Sequence, residues 1–434
     1  MNSDSAIVIR PARNLRGNLQ LPGDKSISHR YAMLAAIAEG TSRLENFSTG
    51  MDCASTLACL RDLACEWESS GGASNSIQIH GRGPVLEAPE GPLNCGNSGS
   101  TMRMLSGILA GQQFESELIG DDSLSRRPMA RIIRPLSAMG AEITASPPGD
   151  RPPLRIHGGT LKAIDYKMPV ASAQVKSAIL FAGLFAEGET IVTEPVRTRD
   201  HGELALRAFG AEIKRGGNET RIAGKQNLHG IEARIPGDIS SASFFLCAAA
   251  LFPGSQLTIS DVLMNPTRAR LLDLLTQMGL QIHVEQLQEQ HGELVGTIEA
   301  RGKTLQGVQV GGAEIAALID ELPVLAAIAP YTSTGIEIRD AKELRVKESD
   351  RIAAVAANLQ AMGAIVEERE DGLHIPGSQS LQGAEIDSHD DHRIAMAFAV
   401  AALRARSESR IHGAKAADIS YPGFFSTLDS LVER

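Results

Sequence analysis

The chain has 434 residues, 43% of them hydrophobic and only 4% aromatic, with 42 glycines and a formal net charge of −10. That length exceeds a single hydrophobic core and calls for two domains or a repeated architecture. The negative charge excludes a general affinity for nucleic acid or anionic membrane, so any anion site has to be a local cationic patch on an acidic body.

Residues 1–14 contain no apolar run of the signal-peptide kind. Uninterrupted apolar stretches such as that from Phe244 to Phe252 are too short to span a bilayer. A cytoplasmic protein is expected. Cys53, Cys59, Cys65, Cys95 and Cys247 are odd in number and form no C-x-x-C pair, as structural thiols in a reducing compartment would be. His389 and His392 are interleaved with Asp390 and Asp391, but no further ligand cluster completes a site, so no metal is expected.

The first informative element is Leu21-Pro22-Gly23-Asp24-Lys25-Ser26-Ile27-Ser28-His29-Arg30, followed by an Ala- and Leu-rich run over 31–38. Pro22-Gly23 turns the chain and the run predicts a buried helix. Lys25, Ser26 and Arg30 then stand at a helix N-terminus, where free N–H groups and the dipole already favour an anion. A solvated basic turn is the plainer alternative. Five further polar turns open Ala-rich helices in the same way: residues 96–100, 169–174, 236–240, 312–320 and 387–393. These helices are apolar nearly all round and are expected inside, with strands and second helices outside them. Ordinary N-capping accounts for many of the Ser, Asn and Asp residues there, but not for the Lys and Arg.

A second pattern is a leucine helix that ends near a glycine and enters a strand. It recurs from Leu60, Leu136, Leu206, Leu275, Leu359 and Leu428, the last copy stopping before any strand. Successive copies are 76, 70, 69, 84 and 69 residues apart, about one sixth of the chain. Six related units are therefore expected. Several second helices also begin with charge. Arg127 precedes Pro128, a residue suited to a helix start. Asp200 and Glu203 have the spacing of a capping box. Residues 345–351 pack three cations and two acids ahead of a helix over 352–362. Taken alone, that last segment also fits a surface helix laced with ion pairs.

Taken together, these segments resemble the 3-phosphoshikimate 1-carboxyvinyltransferase (5-enolpyruvylshikimate-3-phosphate synthase) family, and its second class in particular. The likeness is carried, in order, by 21–30, Gly96 to Arg103, Arg126-Arg127-Pro128-Met129, Ala171-Ser172-Ala173-Gln174, Asp320-Glu321-Leu322-Pro323, 345–351 and Asp390 to Met396. It implies an α/β (α+β) fold: a two-domain inside-out α/β barrel of six βαβαββ-type units, three per domain. The expected domains are 21–238, and 1–20 with 239–434, with crossovers near 21–23 and 235–238. The N-terminal strand would complete the sixth unit, and closure of the domains would exclude water.

The resemblance further implies transfer of the enolpyruvyl group of phosphoenolpyruvate to the 5-hydroxyl of shikimate 3-phosphate, with release of phosphate. It assigns Lys25, Ser26, Arg30, Ser172, Ala173, Gln174, Thr198, Arg199, Asp320 and Lys347 to shikimate 3-phosphate. It assigns Lys25, Gly99, Arg127, Gln174, Arg351 and Arg393 to phosphoenolpyruvate. Asp320 is the expected base at the hydroxyl and Glu348 the expected acid–base at carbon, with Lys25 able to share either role. No cofactor is expected, and a monomer that acts on small molecules, without nucleic acid or membrane partners, suffices. The chain departs from the first-class pattern at Asp418-Ile419-Ser420-Tyr421-Pro422, where the nearest lysine is Lys415, and at Glu343, where an Asn is usual. Gly99 is kept and Met104 stands where Pro is common, which leaves sensitivity to glyphosate open. The rival readings are the sister transferase that acts on UDP-N-acetylglucosamine, which would need a loop cysteine, and a non-catalytic anion-binding relative.

Overall fold

The computed structural model describes residues 6–70 and 75–434. The first five residues of the segment expected in the second domain lie outside them. Contacts separate the chain into two units. The N-unit comprises Gly23–Ile235 with Glu289–Glu293, and the C-unit the described part of Met1–Pro22 with Pro236–Gln288 and Leu294–Arg434. The architecture is mixed α/β throughout.

Six central helices organise the units, three in each: α1 (Lys25–Ala36), α2 (Gly99–Ala110) and α3 (Ala173–Gly183), then α4 (Ile239–Ala250), α5 (Leu322–Ile328) and α6 (His392–Ala402). Every residue of α4, α5 and α6 is buried, as expected of helices with no polar face. Small residues let these helices approach one another closely. A Cβ on Gly107 of α2 would lie 2.1 Å from the Ala178 carbonyl oxygen of α3, a contact only glycine permits.

Around the N-unit helices lie three four-stranded sheets with one shared pattern, a parallel pair followed by two antiparallel neighbours. In one of them Leu93–Asn94 runs parallel to Glu115–Ile119, which pairs antiparallel with Arg151–His157, and that in turn with Glu142–Ser146. Arg151–His157 alternates exposed and buried residues, as a strand with one face on the core and one in water must. The C-unit repeats the pattern with Val308–Val310, Ile336–Ile338, Gly372–Ile375 and Glu367–Arg369. Its other two sheets draw on the N-terminus. Ile7–Ile9 pairs antiparallel with Ser409–His412, and Asn14–Gln20 runs parallel to Gln256–Leu263.

The leucine helices end as their glycines require. Gly140, Gly210, Gly279 and Gly363 all have φ between 84° and 113°, in the left-handed region. In the first copy Ala64 takes that position with φ 59°. Three local expectations are corrected. The last copy does reach a strand, the short Val432–Glu433, which pairs with Asn14 and Leu15. Pro128 does not open a helix: it lies between Asp122–Ser125 and Ala130–Ala138. Asp200 and Glu203 form no capping box. Asp200 instead takes Arg215 at 2.6 Å and Arg197 at 3.2 Å, while Glu203 takes Lys176, because full charges outcompete a backbone N–H.

Candidate active site

Five of the six central helices carry a side-chain cap at the N-terminus. The caps are Asp24, Ser98, Ser172, Asp238 and Asp391, each accepting a backbone N–H one to three residues into the helix. With the caps so occupied, the neighbouring cations and amides are left to form two clusters, one in each unit.

In the N-unit, Lys25 begins α1 and pairs with Asp52 at 2.8 Å. One turn on, Arg30 is buried and donates to the Ser26 carbonyl at 2.8 Å and to Ser177 Oγ at 3.0 and 3.2 Å. Burial pushes its guanidinium pKa down to about 10, and Arg199 adds to that, while Glu203 and Asp24 oppose it. Between these two cations, His29 is held well below its ordinary pKa by burial and then by Lys25 and Arg30. Its Nδ1 meets Thr56 Oγ1 at 2.7 Å, and Thr56 meets Thr101 at 2.7 Å, a buried polar chain from α1 to α2.

At the start of α2, Gly99 leaves room for two arginines. A Cβ there would lie 2.9 Å from Arg103 Nη1 and 3.3 Å from Arg127 Nη1. Arg127 is steadied by Asn97 Oδ1 at 2.8 Å and Ser123 Oγ at 3.1 Å. Gln174, at the start of α3, accepts from Arg103 at 2.7 Å and donates to Ser100 Oγ at 2.9 Å, so the two helix N-termini are tied together. Ser172 caps α3 and Ala173 is its first residue. Thr198 gives both its backbone N–H, at 3.2 Å, and its hydroxyl proton to Glu194. Arg199 follows it, half-buried and close enough to Arg30 to act on its charge.

In the C-unit the centre is Asp320. Four cations ring its carboxylate: Arg268 and Arg351 at 3.8 Å, Lys347 and Arg393 at 3.9 Å. Asp320 is not a helix cap: α5 is preceded by Glu321 and has no side-chain cap at all. Arg393 also donates to the Asp320 carbonyl at 2.5 Å and to Ser240 Oγ at 2.9 Å. Arg351 holds Glu348 at 2.5 Å and Asp391 at 2.8 Å. Burial works against the Arg351 charge, yet Asp391 and Glu348 hold its pKa above the ordinary arginine value. Burial likewise opposes the Asp391 carboxylate, and Arg351 holds it below its usual range. Lys347 is pushed below the usual lysine value by burial, with Asp320 opposing.

The helix expected over 352–362 begins at Arg351, and the surface ion-pair reading of 345–351 applies to Arg345 alone. That residue pairs with Asp350 at 2.7 Å and Glu368 at 2.9 Å, while Lys347, Glu348 and Arg351 face the Asp320 cluster. Lys415 is exposed on the 3-10 helix Ala414–Ile419.

Several residues of the clusters were not singled out from the sequence. Arg103 stands four residues after Gly99, on the same helix face, and that spacing was the available signal. Asp52 and Arg268 carry none, because they arrive from other elements and only the fold brings them in. Among the described residues no group of His, Cys, Asp and Glu could hold a metal ion, and no helix is long and apolar enough to cross a membrane. All five cysteines are buried, so none offers the exposed loop thiol that the sister transferase reading requires.

Comparison with known proteins agrees along the whole chain. The family described as EPSP synthase (3-phosphoshikimate 1-carboxyvinyltransferase) matches residues 9–428. The 3-phosphoshikimate 1-carboxyvinyltransferase of Koribacter versatilis is 59% identical over 429 residues, covering 99% of this chain and 100% of its own. That of Solibacter usitatus is 56% identical, covering 98% and 99%. The solved EPSP synthase of Acinetobacter baumannii superposes with a TM-score of 0.86 at 43% identity, covering 98% of both chains. Matched by that family over residues 9–428 and 59% identical to a member of it along nearly its whole length, the chain belongs to the EPSP synthase family.

Proposed function

We propose that the two clusters supply the binding and proton-transfer groups for moving the enolpyruvyl group of phosphoenolpyruvate onto the 5-hydroxyl of shikimate 3-phosphate. Each substrate carries a carboxylate and a phosphate worth about −1.5 to −2, so roughly five to six negative charges must be accommodated. Fixed cations in a water-poor setting answer that need. Lys25, Ser26, Arg30, Ser172, Ala173, Gln174, Thr198, Arg199, Asp320 and Lys347 serve shikimate 3-phosphate. Lys25, Gly99, Arg127, Gln174, Arg351 and Arg393 serve phosphoenolpyruvate. Arg103 joins the second set through its bond to Gln174.

The reaction is an addition followed by an elimination. In the first step the 5-hydroxyl oxygen bonds to C2 of phosphoenolpyruvate, its proton goes to a base, and C3 gains a proton. In the second step C3 loses a proton, the double bond re-forms, and the C2–O bond to phosphate breaks. Asp320 takes the hydroxyl proton; Glu348 gives and then recovers the proton at C3. The observation that carries this reading is the setting of Asp320, whose carboxylate has four cations within 3.8 to 3.9 Å that anionic substrates can also engage. The protein is proposed to act in the cytoplasm as a monomer, without metal, cofactor, nucleic acid or membrane.

The test is release of inorganic phosphate from phosphoenolpyruvate with shikimate 3-phosphate, with UDP-N-acetylglucosamine, and with no acceptor. Release that strictly requires shikimate 3-phosphate is expected. Release with the nucleotide sugar instead would overturn the substrate assignment, and release with neither acceptor from folded protein would favour a non-catalytic anion-binding relative.

A further inference from the structure

Helix α3 carries a buried charge that none of the roles above uses. The Lys176 ammonium, fully shielded from solvent, lies 2.8 Å from Glu194 Oε2 and 2.8 Å from Glu203 Oε1. Both carboxylates are buried as well. The other oxygen of Glu194 accepts the Thr198 N–H at 3.2 Å and the Thr198 hydroxyl. The next residue on α3, Ser177, is the acceptor for Arg30 at 3.0 and 3.2 Å. Glu203 also acts on Arg30, favouring its charged form.

Three elements therefore meet at Lys176: α3, the exit of strand Glu189–Thr193 at Glu194, and the helix His201–Ala208 through Glu203. A buried carboxylate with no cation would be too costly to keep, so Lys176 is what allows Glu194 to stay under the Thr198–Arg199 turn. Two carboxylates against one ammonium leave a surplus negative charge, and Arg30 is the neighbouring cation on which Glu203 acts. The hydroxyl of Thr198 has a single proton, and Glu194 holds it. Through its N–H and its hydroxyl, Thr198 anchors to Glu194 the turn that presents Arg199.

We infer that Lys176, Glu194 and Glu203 are positioning residues that fix Arg30 and the Thr198–Arg199 turn for the phosphate of shikimate 3-phosphate. This rests on the assignment of Arg30 and Arg199 to that substrate. The cluster acts from beneath, on the shape and charge of the anion cradle.

The experiment measures both Michaelis constants, kcat and thermal melting for Glu194→Leu, Glu194→Gln, Lys176→Met and Arg30→Gln. Glu194→Leu removes the acceptor for Thr198 and is expected to raise the KM for shikimate 3-phosphate about tenfold or more, leaving that for phosphoenolpyruvate within about twofold. Glu194→Gln keeps an acceptor oxygen and is expected to recover most of the loss. Lys176→Met leaves two carboxylates without their ammonium; if it does not fold, the two Glu194 variants decide. A folded Glu194→Leu enzyme with an unchanged KM for shikimate 3-phosphate, or with both constants raised together, would overturn the inference. If Arg30→Gln raises that KM and Glu194→Leu does not, the inference alone fails. If Arg30→Gln leaves it unchanged, the substrate assignment fails and takes the inference with it.

Discussion

Arg351 and Asp391 face each other at 2.8 Å with almost none of either side chain reaching water. The pair joins the first residue of the helix Arg351–Ala361 to the residue that caps α6. Arg351 thereby stands with one nitrogen toward Glu348 and another toward Asp320. A guanidinium fixed on three carboxylates is oriented before any substrate arrives, which reduces the ordering that binding must impose.

Removing Asp391 takes from Arg351 its most deeply buried partner and from α6 its cap. Asp391→Ala is expected to destabilise the fold by about 3–5 kcal/mol, measured by urea unfolding. The pairing depresses the Asp391 pKa in the folded chain, so its stabilisation is present above the unfolded carboxyl value of about 3.9 and is lost as pH falls through the lower folded value. The stability difference between wild type and Asp391→Asn should therefore shrink as pH is taken below about 4. A difference that is constant across that range would count against the ionised pair.

Glu348→Gln keeps a side chain of the same shape beside Arg351 but cannot exchange a proton at carbon. Its kcat is expected to fall about 10²- to 10⁴-fold with smaller changes in either KM. Steady-state kinetics check this, and a kcat within about threefold of wild type would remove Glu348 from the proton path.

Lys347 needs its charge to hold an anion, and burial lowers the pH at which that charge is lost. Binding of shikimate 3-phosphate should therefore weaken as pH rises, beginning below the ordinary lysine value of about 10.4. Lys347→Arg keeps its charge across that range and should remove this alkaline limb from the kcat/KM profile. A limb that survives in the variant would belong to some other group.

Gly99→Ala places a methyl group 2.9 Å from Arg103 Nη1 and 3.3 Å from Arg127 Nη1. Both side chains end in flexible guanidinium groups, so the fold should hold while the cradle shifts by a few tenths of an ångström. The KM for phosphoenolpyruvate is expected to rise about tenfold, with a much smaller effect on shikimate 3-phosphate. Equal changes in both constants would show that the two arginines do not serve one substrate selectively.

What the sequence makes legible follows from how local each signal is. Lys25, Ser26 and Arg30 share one helix N-terminus, and Lys347, Glu348 and Arg351 share one seven-residue stretch, so contiguous motifs reveal them. The same holds for the leucine helices, whose positive-φ glycines are set by a local turn. Asp52 and Arg268 reach the clusters from elements that share no motif with the residues they touch. The misread capping box shows the complementary failure. Asp200 and Glu203 have the right spacing, but Arg215 and Lys176 approach from a strand and from α3, and their charges decide the outcome. Thr198 is legible as a site residue from the resemblance, yet the commitment of its hydroxyl to Glu194 appears only in three dimensions.

This chain is proposed to add and remove a proton at C3 through Glu348 while Asp320 serves the hydroxyl. The most direct measurement runs the reaction with phosphoenolpyruvate and shikimate 3-phosphate in D₂O and weighs the enolpyruvyl product by mass spectrometry. Solvent deuterium is expected in the product methylene with wild-type enzyme, and near-complete loss of turnover and of that exchange in Glu348→Gln. Product formed at the wild-type rate without deuterium, or unchanged exchange in Glu348→Gln, would contradict it.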